Sequence, residues 1–285
     1  MIEVEEWGSY LMRDHYLIVP LLLFLLASSP QISMAAACGF PAKNFYLAKE
    51  LAWGGVNSWS DVDGDWAKDS GEKTSPCVMV AVNYFLGRVI AVGDEGFLSN
   101  VLINESENGE LGLRIIDWLA GAEMSSHRVL FDSAHNEMED INSEDPWLGY
   151  SKLAEKLRAE GYAVDENAGQ ITLKTLRDCD VLVLNAPNRR FLMSEVAAIV
   201  TFVLRGGGLL LMGEWQMSQH QGVAKTLNPL AAQFGVQFRE DAVCDPDDYW
   251  ISDPRYPVIH VFADSPIVEN ITEIRYYMGC SVKKL

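Results

Sequence analysis

The 285-residue sequence predicts an α/β fold, with a mainly parallel sheet, helices on both of its faces and an added antiparallel β-hairpin. Three observations predict it. From residue 125 onward, short apolar runs alternate with stretches of helical periodicity, as in successive βαβ units. Residues 180–185 and 208–212 carry unbroken apolar runs, as strands covered on both faces do. Ahead of them, residues 78–84 and 88–92 are apolar runs separated by Phe85-Leu86-Gly87, which reads as a hairpin with glycine in its turn.

Within the alternating part, residues 128–132 (RVLFD) read as the first strand, ending in polar side chains. Leu148, Leu153, Ala154 and Leu157 fall at helical spacing over 148–160, and Gly161 stops that helix. Residues 162–164 are the second strand and 180–185 the third. A helix over 194–204 takes Ser194 as its N-cap and ends at Gly206-Gly207-Gly208. The fourth strand, 208–212, closes at Gly213-Glu214, and a last helix over 227–234 stops at Gly235. In the earlier part, Gly93-Asp94-Glu95-Gly96 is a sharp turn and 111–119 an amphipathic helix. The stretch between Gly54 and Gly71, with Trp53, Trp59 and Trp66 in or beside it, reads as an irregular loop packed by its own rings. Residues 244–257, rich in Pro and Asp, read as an exposed aromatic loop that meets a partner or covers the sheet edge.

The N-terminus is different in kind. Residues 16–27 form the most apolar run, but 12 residues fall short of the roughly 20 needed to span a bilayer. Small residues follow, with Ala35-Ala36-Ala37 ahead of Cys38, the shape of a secretory cleavage site. Residues 1–37 therefore read as a signal peptide, with an uncleaved N-terminal anchor as the alternative, although the residues ahead of the apolar run are acidic where basic ones are expected. The implied location is extracytoplasmic. Twenty-two basic against 40 acidic residues give −18, which excludes a nucleic-acid partner held by a basic face. It equally excludes docking on anionic lipid through a basic patch. The cysteines Cys38, Cys77, Cys179, Cys244 and Cys280 lack metal-ligand spacing, and their odd count allows at most two disulfides. Cys179, just before an apolar strand, reads as a buried thiol.

In a parallel sheet, ligands bind outside the carboxyl ends of the strands. Strand ends place Asp132, His135, Asn136 and Glu137 after the first strand, Asn185 after the third, and Glu214 with Trp215 after the fourth. These seven are the ligand-binding candidates. The sharper reading is a polar or metal-assisted site built on Asp132, His135, Glu137 and Glu214. The plainer one makes them caps and turn-formers. A nucleophile elbow is missing, because the matching turn reads Leu211-Met212-Gly213-Glu214-Trp215, with neither Ser nor Cys. Gly206-Gly207-Gly208 precedes its strand and so is no phosphate loop. Asp61, Asp63 and Asp65 alternate as calcium ligands do, but Gly64 is misplaced for a calcium loop and a solvated acidic turn is the better reading. No catalytic residue, metal or cofactor is assigned.

The segments FDSAHNE at 131–137, NAPNRRFLMSEVAAIVTFVLRGGGLLLMGE at 185–214 and LNPLAAQFGVQF at 227–238 carry a family resemblance. The chain resembles the class I glutamine amidotransferase-like, flavodoxin-like domains of the GIFT type, found in gliding-motility ABC-transporter auxiliary proteins and intraflagellar-transport components. That resemblance implies a binding or scaffold module without the amidotransferase cysteine. Segments within 46–121 resemble the closing strands and helix of the same domain. Residues 38–121 then form a closing half and 122–285 an opening half, in reversed order, together making one domain as a circular permutant; a fragment of a tandem array is the rival. The function expected is a non-catalytic exported binding or scaffold protein, an auxiliary of an ABC transporter or cell-envelope assembly, with a protein partner (a membrane transporter among the options) or a small polar ligand. The alternative is a divergent hydrolase acting on a sugar or amide at the carboxyl edge of the sheet.

Overall fold

The computed structural model describes residues 46–121, 126–215 and 223–285. The leader reading of residues 1–37, and Cys38, lie outside the described residues. In chain order the elements are β1 (Tyr46–Trp53), β2 (Trp59–Asp61), β3 (Cys77–Tyr84), β4 (Gly87–Val92), α1 (Asn108–Ala120), β5 (Arg128–Asp132), α2 (Ser151–Ala159), β6 (Ala163–Asn167) and β7 (Val181–Asn185). They continue with α3 (Met193–Leu204), β8 (Gly208–Met212), α4 (Val223–Ala231), β9 (Val236–Phe238), β10 (Ala242–Cys244), β11 (Val258–Ile259), β12 (Val261–Phe262), β13 (Ile274–Arg275) and β14 (Val282–Lys284).

Eight strands form one sheet in the order β12-β1-β3-β4-β8-β7-β5-β6. From β4 to β6 every pairing is parallel; from β12 to β4 every pairing is antiparallel. The junction is the β4–β8 ladder, which runs from Arg88 beside Gly208 to Val92 beside Met212. Strand alternation sends Ile90, Val92, Val181, Val183, Leu210 and Met212 to one face, in one apolar cluster with Leu111, Ile115 and Leu119 of α1 and Leu153 and Leu157 of α2. The alternate residues Val89, Ala91, Leu182, Leu184, Leu209 and Leu211 are buried as well, so both faces are covered. That is why these strands read as unbroken apolar runs. Outside the sheet, β2 pairs with β10, β11 with β13, and β9 with β14. Among the described residues no helix is long and apolar enough to cross a membrane.

Several boundaries differ from the sequence expectation for local reasons. The helix expected over 148–160 begins at Ser151, because Asp145 Oδ1 accepts the Trp147 and Leu148 N–H groups in a turn (2.9 and 2.8 Å). The expected N-cap Ser194 lies inside α3, and Glu195 instead accepts the Leu192 N–H at 2.8 Å. The last helix already includes Val223 and Ala224, which extend its buried stripe ahead of Leu227, and a short 3-10 turn over Ala232–Phe234 finishes it. Gly87 is no turn residue: it opens β4 opposite Tyr84, leaving Phe85-Leu86 as a two-residue turn with Phe85 at φ 55°. The segment 54–71 is not packed by its own rings alone. It contains β2, Trp59 is buried with Ala242 and Cys244, and Trp66 stands edge-on to Trp215 at 4.8 Å.

The turn after β4 is sealed by the end of the chain. Cys280 N–H donates to Gly93 O at 2.8 Å, and a Cβ at residue 93 would lie 1.8 Å from Cys280 O and 2.3 Å from Tyr276 Oη. Only glycine fits. Gly93→Ala is expected to cost about 3 kcal/mol, as overpacking against backbone does. Chemical denaturation of the two proteins checks this; an unchanged midpoint would mean that the terminal segment is not packed on this turn.

Candidate functional site

The carboxyl ends of the parallel strands gather two buried polar groups. In the first, Asp132 ends β5 and the chain turns sharply through Asn136, at φ 54°. His135 Nδ1 lies 2.5 Å from Asp132 Oδ2, and its Nε2 lies 3.2 Å from Glu195 Oε2 at the start of α3. The ring packs on Phe191 with 4.3 Å between centroids, and its backbone carbonyl accepts the Asn188 and Arg189 N–H groups from the loop after β7. Glu137 folds back so that Oε2 accepts the His135 N–H at 2.9 Å, with Oε1 4.0 Å from Nδ1. Asn167, at the end of β6, donates to Asp132 Oδ1 at 2.7 Å. Burial opposes a charged His135, but the hydrogen bonds and charges of Asp132 and Glu195 outweigh it and raise its pKa. Burial, reinforced by Asp132, pushes the Glu137 carboxyl up to about 9. Asp132, His135 and Glu137 each offer one ligand atom, all within 4.8 Å of one another.

The second group is a set of buried acids at the ends of β4, β7 and β8. Asp94 and Glu95 follow β4, Glu214 follows β8, and Glu139 comes from the loop after β5; all four are buried. Glu95 interacts with both Glu139 and Glu214, and its Oε2 is buried without a hydrogen-bond partner. Asn185 donates to Glu139 O at 2.8 Å, and Tyr150 donates to Glu95 O at 2.6 Å. Burial first, and mutual repulsion after it, hold Asp94, Glu139 and Glu214 well above the ordinary carboxylate range; burial also raises Glu95. Burial of this kind favours the neutral carboxyl over the carboxylate.

Over this edge lies an aromatic band. Trp147 packs on Tyr277 at 5.0 Å, Tyr277 on Tyr256 at 5.1 Å, and Tyr256 on Trp250 at 5.8 Å. Arg255 then lies 4.8 Å over the Trp66 ring, which meets Trp215. Trp147 and Trp66 are the exposed members. The 244–257 segment thus contributes stacked rings, while its first residues, Cys244 and Asp245, are buried.

The seven candidate residues therefore divide. Asp132, His135 and Glu137 share one pocket; Asn185 and Glu214 belong to the acid group; Trp215 joins the aromatic band. Asn136 is exposed and contributes a carbonyl that accepts from Asn188. Sequence reasoning missed Asp94, Glu95, Glu139, Glu195 and Asn167. The strand-end rule would have found Asp94 and Glu95 had β4 been placed in the parallel sheet and not only in a hairpin. Asp61, Asp63 and Asp65 stand together, but their oxygens accept the N–H groups of Gly64, Trp66, Asp65 and Ala67, as in a self-stitched turn. The four described cysteines are free and buried, and burial pushes the Cys179 thiol up to about 12.

Residues 128–260 match the family model of the IFT52 GIFT domain. This part of the chain, just under half of it, is thus similar to a GIFT-type domain. The mmIFT52 N-terminal domain is 19% identical, with a TM-score of 0.48 over 55% of this chain and 72% of that one. Two structures of the IMPa metallopeptidase from Pseudomonas aeruginosa, one in complex with an O-glycopeptide, are each 15% identical, with TM-scores of 0.34 and 0.35. They cover 63% and 65% of this chain, which spans 18% and 20% of theirs. No curated protein matches. The family match corrects the functional expectation. IFT52 is an intraflagellar-transport protein, so the match overturns the expectation of an exported auxiliary of an ABC transporter in a secreted or cell-envelope setting.

The acid group sets a sign for the pH dependence of stability. Glu95 and Glu214 titrate above their ordinary value of 4.5 in the fold, so the folded chain binds more protons than the unfolded one above that pH. Their contribution is fully present below 4.5 and is lost as the pH rises through the raised values. Glu214→Gln, which has nearly the same shape but cannot ionise, is expected to raise Tm by about 3–10 °C at pH 8, the gain shrinking toward pH 4.5. Melting curves across that range decide it; parallel curves for the two proteins would contradict the burial of an ionisable Glu214.

Proposed function

We propose that this chain is a non-catalytic protein-binding module of a multiprotein assembly of the intraflagellar-transport kind. The observation that carries the reading is the match of residues 128–260 to the IFT52 GIFT domain. The aromatic band supports it. Tryptophan, tyrosine and arginine are the side chains that concentrate binding energy in protein interfaces, and here Trp147, Tyr277, Tyr256, Arg255 and Trp66 run along one edge. The buried acids beneath them make a rigid polar floor more than an open cleft.

The same reading takes the domain as amidotransferase-like with its halves in reversed order. In its favour, β3 and β4 of the earlier half extend the sheet of β5, β7 and β8 through the β4–β8 ladder. A small polar ligand is not needed by this reading.

Expressed with a tag in a ciliated cell, the chain is expected to co-purify with the intraflagellar-transport complex and to lose at least tenfold of that recovery on combined Trp66→Ala and Trp147→Ala substitution. Recovery in the medium, or capture insensitive to both substitutions, would sink the proposal.

A further inference from the structure

After β5, three carboxyl groups, those of Asp132, Glu137 and Glu195, converge on one imidazole, and among the described residues no Lys or Arg forms an ion pair with any of the three. Burying carboxyl groups together without a compensating cation is costly. A second observation is independent of that balance. Glu137 Oε1 is buried, with its side chain 2% exposed, and has no hydrogen-bond partner.

The atoms facing away from this oxygen are all held. Asn167 Nδ2 donates to Asp132 Oδ1 at 2.7 Å, and His135 N–H donates to Glu137 Oε2 at 2.9 Å. His135 Nε2 faces Glu195 Oε2 at 3.2 Å; Glu195 is itself anchored, Oε2 by the Leu192 N–H at 2.8 Å and Oε1 by the Ile171 N–H at 3.1 Å. This leaves Asp132 Oδ2, His135 Nδ1 and Glu137 Oε1 turned toward one another, all within 4.8 Å. An imidazole whose second nitrogen is fixed by a carboxylate, beside carboxylates each fixed by a donor, is how a metal-ligand set is oriented.

We propose that Asp132 Oδ2, His135 Nδ1 and Glu137 Oε1 bind a divalent transition-metal ion, with zinc the best match. One imidazole nitrogen and two carboxylate oxygens suit zinc, which bonds both at about 2.0–2.2 Å. Calcium takes six to eight oxygens, and magnesium keeps an octahedral shell of oxygens, so neither suits a histidine-centred set of three. The bound ion replaces the Asp132–His135 hydrogen bond with two metal bonds and satisfies the orphaned Glu137 oxygen. It ties the end of β5 to α3 through His135 and Glu195, and stabilises the fold.

The test uses the full chain, stripped with chelator and then given zinc chloride. The wild type is expected to retain about one zinc per chain after desalting, and to gain about 5–10 °C in Tm at zinc roughly a hundredfold above its Kd. Glu137→Gln, whose amide oxygen still accepts the His135 N–H, loses both responses. Glu195→Gln leaves the three ligands intact and weakens binding by about 10–100-fold, so the proposal stays testable if Glu137→Gln fails to fold. Combined Asp63→Asn and Asp65→Asn substitutions alter the other acidic cluster and leave zinc binding unchanged. A wild type that retains no zinc overturns the proposal, as does zinc retention unaffected by both glutamine variants, or a thermal shift given by calcium and not by zinc. Metal content is read without any partner, so this outcome and that of the co-purification stand apart.

Discussion

The parallel ladder between β4 and β8 is the interaction on which the rest of the molecule depends. It fastens an antiparallel set, β12-β1-β3-β4, to a parallel one, β8-β7-β5-β6, and makes a single sheet of them. Its register also sets the chemistry of the carboxyl edge. With Val92 beside Met212, the residues that follow each strand emerge side by side, and Glu95 meets Glu214. A shift by one residue would turn every side chain of β4 to the opposite face. The apolar core and the acid group would be lost together.

That edge runs against the rule that charged side chains stay in water. Four acids are buried in one group and three more carboxylates surround His135. Their cost is offset by the sheet beneath, where Val181, Leu182, Val183 and Leu184 are all fully buried, each contributing about 1.5–3 kcal/mol. Proteins commonly keep such strained electrostatics where they bind something. The strain continues in the backbone: Ala186, directly after Asn185, sits at φ 45°, a conformation that a side chain with Cβ seldom adopts.

Much of the fold was legible because it is written in local periods. The runs at 128–132, 180–185 and 208–212 became β5, β7 and β8 almost residue for residue, since strands buried on both faces have no other composition open to them. The carboxyl-edge rule then brought Asp132, His135 and Glu137 into one pocket. What stayed hidden depends on distance along the chain. Trp59 looked like part of a self-packed loop because its partners, Ala242 and Cys244, lie far away in sequence. Glu195 looked like an ordinary first-turn acid of a helix, and nothing local says that it reaches His135, 60 residues earlier. Glu139 and Glu95 likewise become a pair only once the sheet is assembled.

The two outer strands of the sheet share a property. Among the described residues, β12, only two residues long, lies at one end, and at the other lies β6, whose sequence AVDEN places Asp165 and Glu166 on an otherwise open backbone edge. Asp165 is further occupied by Arg128, at 2.6 Å from the adjacent strand, and Glu166 by Asn142 at 2.8 Å. An unpaired strand invites another chain to add itself, and shortness and charge are what discourage that. Among the described residues, then, both ends of the sheet discourage edge-to-edge stacking, which lets the long apolar strands within it be kept without a fibre forming on them.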